Sequence, residues 1–206
     1  MKNNIGKIGD NYKFIVFEGM DGSGQSSQAQ RLLDFVKKEG MKGILTKEPT
    51  NTLLGGILRS ALTGEWKADP KTLQMVFAAD RLNHCEKEIK KIIDSGGIVV
   101  CDRYILSSIA YGVADGINED WLLGLNQYAL LPDVIIYIDV PMEISLQRIH
   151  TGRFSVELFE HKDMLAKVRK QYLRLAKMSK FNVKIIDGTQ TMDEVHHNII
   201  AALQLK

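Results

Sequence analysis

Nine residues near the start of the chain have the composition and spacing of a phosphate-binding turn. The stretch GMDGSGQSS, residues 19–27, matches the pattern G-x-x-x-x-G-K-[ST], except that Gln25 stands where the lysine belongs. Glycines let backbone N–H groups converge on phosphate oxygens, and the N-terminus of a following helix adds positive potential. Ser26 occupies the hydroxyl position that ligates Mg²⁺ in this motif. The candidate phosphate-binding residues are Gly19, Asp21, Gly22, Ser23, Gly24, Gln25, Ser26 and Ser27.

A glycine-rich connection between a strand and a helix is the alternative interpretation of this stretch. Gln25 can donate through its amide but carries no charge. Loss of one preorganised transition-state donor costs on the order of 10²–10³ in rate. The loop therefore indicates nucleotide binding more firmly than fast catalysis.

Two further clusters have residue types suited to binding a nucleotide. Asp102 and Arg103 directly follow a buried apolar run, where a carboxylate can organise Mg²⁺ and an arginine can clamp a phosphate. A surface ion pair is the alternative. Phe77 and Arg81 are four residues apart on a predicted helix, so a ring and a guanidinium share one face and can bind a base together. From spacing alone, a core position is the favoured interpretation of Phe77.

The elements that would position these residues alternate between strands and helices. The predicted strands are 13–17, 42–46, 97–101, 133–139 and 182–187. Helices are predicted over about 25–38, 53–62, 70–95 and 192–205, with the Asp69-Pro70 pair as a helix start, and one or two helices over 105–131. Five apolar strands alternating with helices predict an α/β fold, a five-stranded parallel sheet flanked by helices. Ligands bind such sheets at the carboxyl ends of the strands.

Composition narrows the classes of protein that remain. The 206 residues carry a formal net charge of +2, which favours neither a nucleic-acid nor a membrane partner. Cys85 and Cys101 have no disulfide or metal spacing, which suits the cytoplasm. Residues 1–12 lack the apolar segment of a signal peptide and are expected to form a polar arm before one domain, 13–206.

Several motifs in order resemble the thymidylate kinase family. They are FEGMDGSGQSSQ, KEPT, FAADR, DRYILSSIAY and IDGTQTMDEV, and the resemblance extends over nearly the whole chain. The resemblance implies a P-loop kinase fold and transfer of the γ-phosphoryl group of ATP to dTMP with Mg²⁺. It also implies a homodimer.

The resemblance assigns roles to individual residues. It places Asp21 at the sugar 3′-hydroxyl, where an Asx turn is the alternative, and Phe77 and Arg81 at the thymine. It places Asp102 at Mg²⁺ and Arg103 at the acceptor phosphate. The remaining substrate-binding candidates are Glu48, Pro49, Arg59, Ser107 and Tyr111, among which Arg59 is equally an exposed helix arginine. Bacterial members often have glutamine after the tyrosine of this motif, where this chain has Gly112.

The segment 148–160 falls where the family has a mobile lid over the phosphates. Because the glycine loop lacks lysine and arginine, the chain resembles members that supply arginines from the lid. We expect Arg153, with Arg148 as the second candidate, to replace the missing lysine. Glu157 and Glu160 either bind the acceptor, order the lid, or interact favourably with the dipole of a helix that starts there. Gly188–Gln190 is the expected adenine-facing turn.

Two alternative functions stay open at this point. One is a kinase for another nucleoside or nucleotide, which Gly112 motivates. The other is a catalytically weak nucleotide-binding protein, which Gln25 and the lid motivate, since Ser155 and Val156 stand where related lids often have an Asp-Arg pair.

Overall fold

The computed structural model of the protein describes residues 11–151 and 162–205, without the side chains of His150, Thr151 and Lys162. Five strands within these residues form one sheet in the order β2-β3-β1-β4-β5, and all of the pairings are parallel. The strands are β1 (Phe14–Gly19), β2 (Gly43–Lys47), β3 (Ile98–Asp102), β4 (Val134–Asp139) and β5 (Val183–Asp187). The predicted α/β fold is confirmed.

Helices connect the strands and cover the sheet. Those of the first half are α1 (Gln25–Lys38), α2 (Leu53–Leu62), α3 (Pro70–His84), a π-helical turn (Cys85–Ile89) and α4 (Lys90–Asp94). Those of the second half are α5 (Ile105–Ala114), α6 (Glu119–Leu125), α7 (Met142–Thr151), α8 (Lys162–Leu175) and α9 (Met192–Ala202). No helix in the described ranges is long and apolar enough to cross a membrane.

The central strand shows why the sheet is buried on both faces. All six residues of β1 are buried. Phe14 and Val16 pack into one apolar cluster, whereas Ile15 and Phe17 pack into a second one. Because side chains alternate along a strand, these two clusters lie on opposite faces of the sheet. A continuous apolar run is therefore the correct signature for this strand.

The strand boundaries differ from the sequence prediction by one or two residues. β1 continues through Glu18 and Gly19 because both pair with β4, a long-range partnership that local composition does not reveal. The segment 105–131 holds two helices, α5 and α6, separated around Gly116 with its φ angle of +86°, and α6 ends at Leu125, whereas α9 ends at Ala202. The predicted helix 70–95 consists of α3, the π-helical turn and α4, which follow one another without a break as far as Asp94. It begins as predicted, with Asp69 accepting a hydrogen bond from the backbone N–H of Lys71 at 2.8 Å.

The strand order brings the two main candidate segments together. β1 lies between β3 and β4, and Phe17 of β1 is in register with Asp102 of β3. The glycine loop after β1 and the Asp102-Arg103 pair after β3 therefore leave the sheet at the same edge. This is the edge at which parallel sheets bind ligands.

Candidate active site

The glycine loop joins β1 to α1 in a conformation that depends on glycine. Gly22 and Gly24 have φ angles of +75° and +91°, in the left-handed region that side chains disfavour. At Gly22 a Cβ atom would also lie 2.6 Å from the backbone oxygen of Ser145. The loop therefore could not keep this shape with larger residues, and the shape is stabilised by α7, which carries Ser145.

The N-terminus of α1 is open to an anion. Its N-cap residue is Gly24, which has no side chain to cap it, and its first turn contains no acidic residue. Among its first N–H groups, that of Gln25 donates to the Ser23 hydroxyl at 3.4 Å. Ser26 and Ser27 are exposed there, while Gln25 is buried, with its Oε1 atom 3.4 Å from the hydroxyl of Ser23. The amide of Gln25 is thus folded back on the loop, and the positive end of the helix dipole is available for phosphate.

Asp21, Arg103 and Tyr111 form one polar cluster beside the loop. The Asp21 carboxylate forms an ion pair with the Arg103 guanidinium and accepts a hydrogen bond from the Tyr111 hydroxyl at 3.2 Å. The Arg103 guanidinium also lies 5.7 Å from the Tyr111 ring centroid. Burial is the largest single influence and lowers the pKa of Arg103, but the Asp21 carboxylate together with Tyr111, Tyr172 and Asp102 outweighs it, so the pKa is raised. Arg103 is therefore a permanent cation at this edge of the sheet.

Glu18 is a site residue that the sequence analysis missed. Its fully buried carboxylate accepts hydrogen bonds from the backbone N–H groups of Tyr104 and Ser107 at 3.0 and 3.2 Å, and from the Ser107 hydroxyl. The Tyr172 hydroxyl donates to it at 3.1 Å. Glu18 thus caps the N-terminus of α5 and fixes the turn that carries Arg103. An acidic residue inside an apolar strand was the available signal.

The buried carboxyl of Glu18 should impose a pH dependence on stability. Burial raises its pKa above the ordinary 4.5, against the lowering effect of its hydrogen bonds from Ser107 and the charge of Arg103. A raised pKa means that folded protein holds the proton more tightly, so stability present below pH 4.5 is lost as pH rises through the folded pKa. We expect Glu18→Gln to remove this loss, so that its free energy of unfolding falls less than that of the wild type above pH 4.5.

Denaturant unfolding over a pH series measures the difference between the two proteins. Glu86→Gln is the matched control, because Glu86 is exposed on the π-helical turn and its variant should follow the wild-type curve. Parallel curves for the wild type and Glu18→Gln would show that the Glu18 carboxyl does not change its proton affinity on folding.

Glu48 and Arg81 form a buried ion pair behind the sheet edge. Glu48 Oε2 lies 2.7 Å from Arg81 NH2, and Glu48 Oε1 lies 3.1 Å from His84 Nδ1. Arg81 also donates to the side chains of Asn126 and Ser108 and to the backbone oxygen of Tyr104. With Arg81 only 1% exposed, each of its guanidinium nitrogens is held by a protein acceptor. The spacing of Phe77 and Arg81 along one helix does not reveal that the Arg81 guanidinium is buried among protein acceptors.

The loop after β2 is held by residues from two helices. Asp80 accepts hydrogen bonds from the backbone N–H and the hydroxyl of Thr50, at 2.8 and 2.6 Å. Arg59 donates to the backbone oxygens of Pro49 and Thr50, and the Glu48–Pro49 peptide bond is cis. Arg59 is thus partly buried as a support for this loop rather than fully exposed on its helix.

Asp102 has the character of a cation-binding carboxylate. Its Oδ1 atom is buried and has no hydrogen-bond partner among the residues that the structure describes. An unpaired buried carboxylate oxygen is costly, and a metal ion or its water would satisfy it. Within the described ranges no three His, Cys, Asp or Glu side chains gather around a metal position. A metal would therefore need Asp102 together with hydroxyls, water or phosphate oxygens, which suits Mg²⁺.

Only part of the predicted lid, 148–160, lies within the residues that the structure describes. Arg153, Ser155, Val156, Glu157 and Glu160 lie outside the described residues. Arg148, at the end of α7, donates to the backbone oxygens of Ser23 at 3.3 Å and Gly188 at 2.9 Å. It therefore links the glycine loop to the turn 188–190, the expected adenine-facing segment.

Phe77 lies on α3 and Gly112 lies on α5. Phe77 is half-buried and packs beside the cluster of Leu58, Ala61 and Leu73. A Cβ atom at Gly112 would lie 2.8 Å from Leu122 Cδ1, so a larger residue there would displace α6 side chains.

Comparison with known proteins adds an independent finding to this geometry. A family model described as thymidylate kinase matches residues 17–199. A protein of Methanocaldococcus jannaschii named probable thymidylate kinase is 43% identical over 195 residues, covering 93% of this chain and 95% of its own length. Proteins of the same name from Methanococcus aeolicus and Thermococcus kodakarensis are 40% and 38% identical, each with 97% of its own length covered. Their matches cover 94% and 93% of this chain, respectively.

Proposed function

The chain belongs to the thymidylate kinase family, and from this premise we propose that it transfers the γ-phosphoryl group of ATP to dTMP, giving ADP and dTDP for dTTP synthesis. The observation that carries the proposal is the placement of the glycine loop beside the Asp21–Arg103–Tyr111 cluster at one sheet edge. The glycine loop suits a donor triphosphate, and the Asp21–Arg103–Tyr111 cluster suits a nucleoside monophosphate.

In the transfer, an oxygen of the dTMP phosphate attacks the γ-phosphorus as its bond to the β,γ-bridging oxygen of ATP breaks. Backbone N–H groups of the loop and the N-terminus of α1 hold the donor phosphates. Arg103 holds the acceptor phosphate, while Asp21 and Tyr111 border the sugar. Bound Mg²⁺ would neutralise phosphate charge, with Ser26 and Asp102 as the protein groups nearest to it.

The other proposed binding residues surround this centre. Glu48 and Pro49 shape the border of the acceptor site, Arg59 supports that border, and Ser107 orders the turn after Arg103. Phe77 packs against the base, and the Arg81 guanidinium, which is held by Glu48, lies behind it. Arg153 supplies the positive charge that Gln25 does not.

An ADP-release assay over a panel of nucleoside monophosphates tests the proposed reaction, with the phosphorylated product identified by mass. We expect dTMP to have the highest kcat/KM, because the chain belongs to this family. Preference for another acceptor would instead indicate a different nucleotide kinase. Binding of ATP and dTMP without turnover would indicate a nucleotide-binding protein.

Replacement of Asp102 by asparagine tests the Mg²⁺ site. Since the neutral amide binds a hydrated cation less well, we expect the Mg²⁺ concentration for half-maximal activity to rise about tenfold to a hundredfold. Asp139→Asn is the control, because Asp139 also ends a strand but accepts both of its Arg169 hydrogen bonds at 2.8 Å. An unchanged Mg²⁺ requirement in Asp102→Asn would remove Asp102 from the site.

The domain, assembly and location follow as proposals. We infer one domain over 13–206, with a polar arm at 1–12 and a lid at about 148–160.

A homodimer is supported by Met75 and Leu82, large apolar residues on α3 that are 55% and 41% exposed and seven residues apart, hence on one face. Sedimentation of the purified chain measures the assembly. A cytoplasmic location is supported by the free thiols of Cys85 and Cys101.

A further inference from the structure

A buried glutamine on α3 has an unused polar atom. Gln74 is 6% exposed, and its Oε1 atom has no hydrogen-bond partner among the described residues. A buried acceptor without a donor weakens the folded state, so its presence calls for a reason beyond packing. No motif in the sequence had singled out this residue.

The amide of Gln74 lies beside the acceptor site. A Cβ atom at Gly112 would be 3.2 Å from Gln74 Nε2, so the amide occupies the space next to the glycine. Gly112 directly follows Tyr111, whose hydroxyl donates to Asp21. The Gln74 amide therefore lies against α5 at the residue next to Tyr111.

Gln74 also shares a helix face with the two residues assigned to the base. Residues 74, 77 and 81 are spaced by three and four, which places them on one side of α3. The guanidinium of Arg81 is engaged by Glu48, Asn126, Ser108 and Tyr104. Within the described structure, the Gln74 oxygen is thus the unpartnered buried side-chain polar atom on this face.

We propose that Gln74 determines specificity by binding the imide edge of the thymine base. Its Oε1 atom accepts a hydrogen bond from the base N3–H, and its Nε2 atom donates to the base O4. An amide presents an acceptor and a donor side by side, which complements this edge, as in proteins that bind single unstacked bases. The inference rests on the proposed function, since it needs a thymine nucleotide between α3 and α5.

The test compares dTMP with its N3-methylated analogue in the wild type and in Gln74→Leu. The methyl group removes the N3–H donor, so the wild type should prefer dTMP in kcat/KM. In Gln74→Leu the preference should shrink about tenfold or more, mostly through a higher KM for dTMP. The thermal midpoint should not fall, because leucine removes a buried unpaired oxygen.

Gln30→Leu is the matched control, since Gln30 is exposed on α1 and its variant should keep the wild-type preference. An undiminished preference in Gln74→Leu would overturn the proposal, whatever the stability of the variant. Equal use of both nucleotides by the wild type would overturn it as well. Absence of dTMP phosphorylation by the wild type would be a separate result, against the proposed function itself.

Discussion

Arg103→Lys is expected to lower kcat/KM for dTMP by about 10²–10³, the cost typical of removing one preorganised charge-stabilising donor. The guanidinium of Arg103 is planar and presents paired N–H donors to a phosphate, which a lysine ammonium cannot reproduce. It is also held in place by Asp21, the Ser107 hydroxyl and the Tyr111 ring. Lysine would keep the charge but lose this orientation.

The backbone conformation at Arg103 should not differ in cost between the wild type and Arg103→Lys. Its φ angle is +67°, so any residue other than glycine at this position carries similar strain. Arg103→Lys should therefore fold as well as the wild type, and steady-state kinetics with circular dichroism checks both points. Arg31→Lys is the control, because Arg31 forms an exposed pair with Asp193 and should retain full activity. Activity of Arg103→Lys within threefold of wild type would contradict the phosphate-clamp role.

The sheet could be predicted from the sequence because its strands are continuous apolar runs. Strands buried on both faces need such runs, and β1 and β4 show them clearly. The ends of the strands were less predictable, since Glu18 and Gly19 are strand residues through pairing with β4. Hydrogen bonds between distant segments have no local signature.

The site was predictable where a backbone motif carries the chemistry. The glycine loop has its expected strand–loop–helix context, and Gly22 and Gly24 have the positive φ angles that explain their identity. Asp21, Arg103 and Tyr111 come together as the strand order requires. Their assigned roles toward substrate remain predictions.

Residues that act by supporting others escaped the sequence analysis. Glu18 was quoted within FEGMDGSGQSSQ without a role, although it caps α5 and positions the Arg103 turn. Asp80 was quoted within FAADR without a role, yet it anchors the loop at Thr50. Spacing along one helix or strand cannot identify partners that are 30 or more residues away.

The missing lysine of the glycine loop leads to the second prediction with a large effect. Arg153→Ala should lower kcat by about 10², because phosphoryl transfer depends on a cation that neutralises the charge of the transferring group. Arg153 follows the end of α7 by two residues, and Arg148 of the same helix already reaches the carbonyl of Ser23. Arg174→Ala is the control, since Arg174 pairs with Glu119 at the surface. Unchanged kcat in Arg153→Ala would exclude the proposed role.

A double-variant cycle with Gln25→Lys tests whether the two positions do the same work. The Gln25 amide is folded back on the loop, with Oε1 within 2.7 Å of where a Cβ at Gly19 would lie. A lysine at this position would place its ammonium among the donor phosphates. If Arg153 substitutes for that cation, Arg153→Ala should cost far less in the Gln25→Lys background than the roughly hundredfold loss expected alone. Equal losses in both backgrounds would show that the two cations act independently, because only groups that neutralise the same phosphate charge can replace each other.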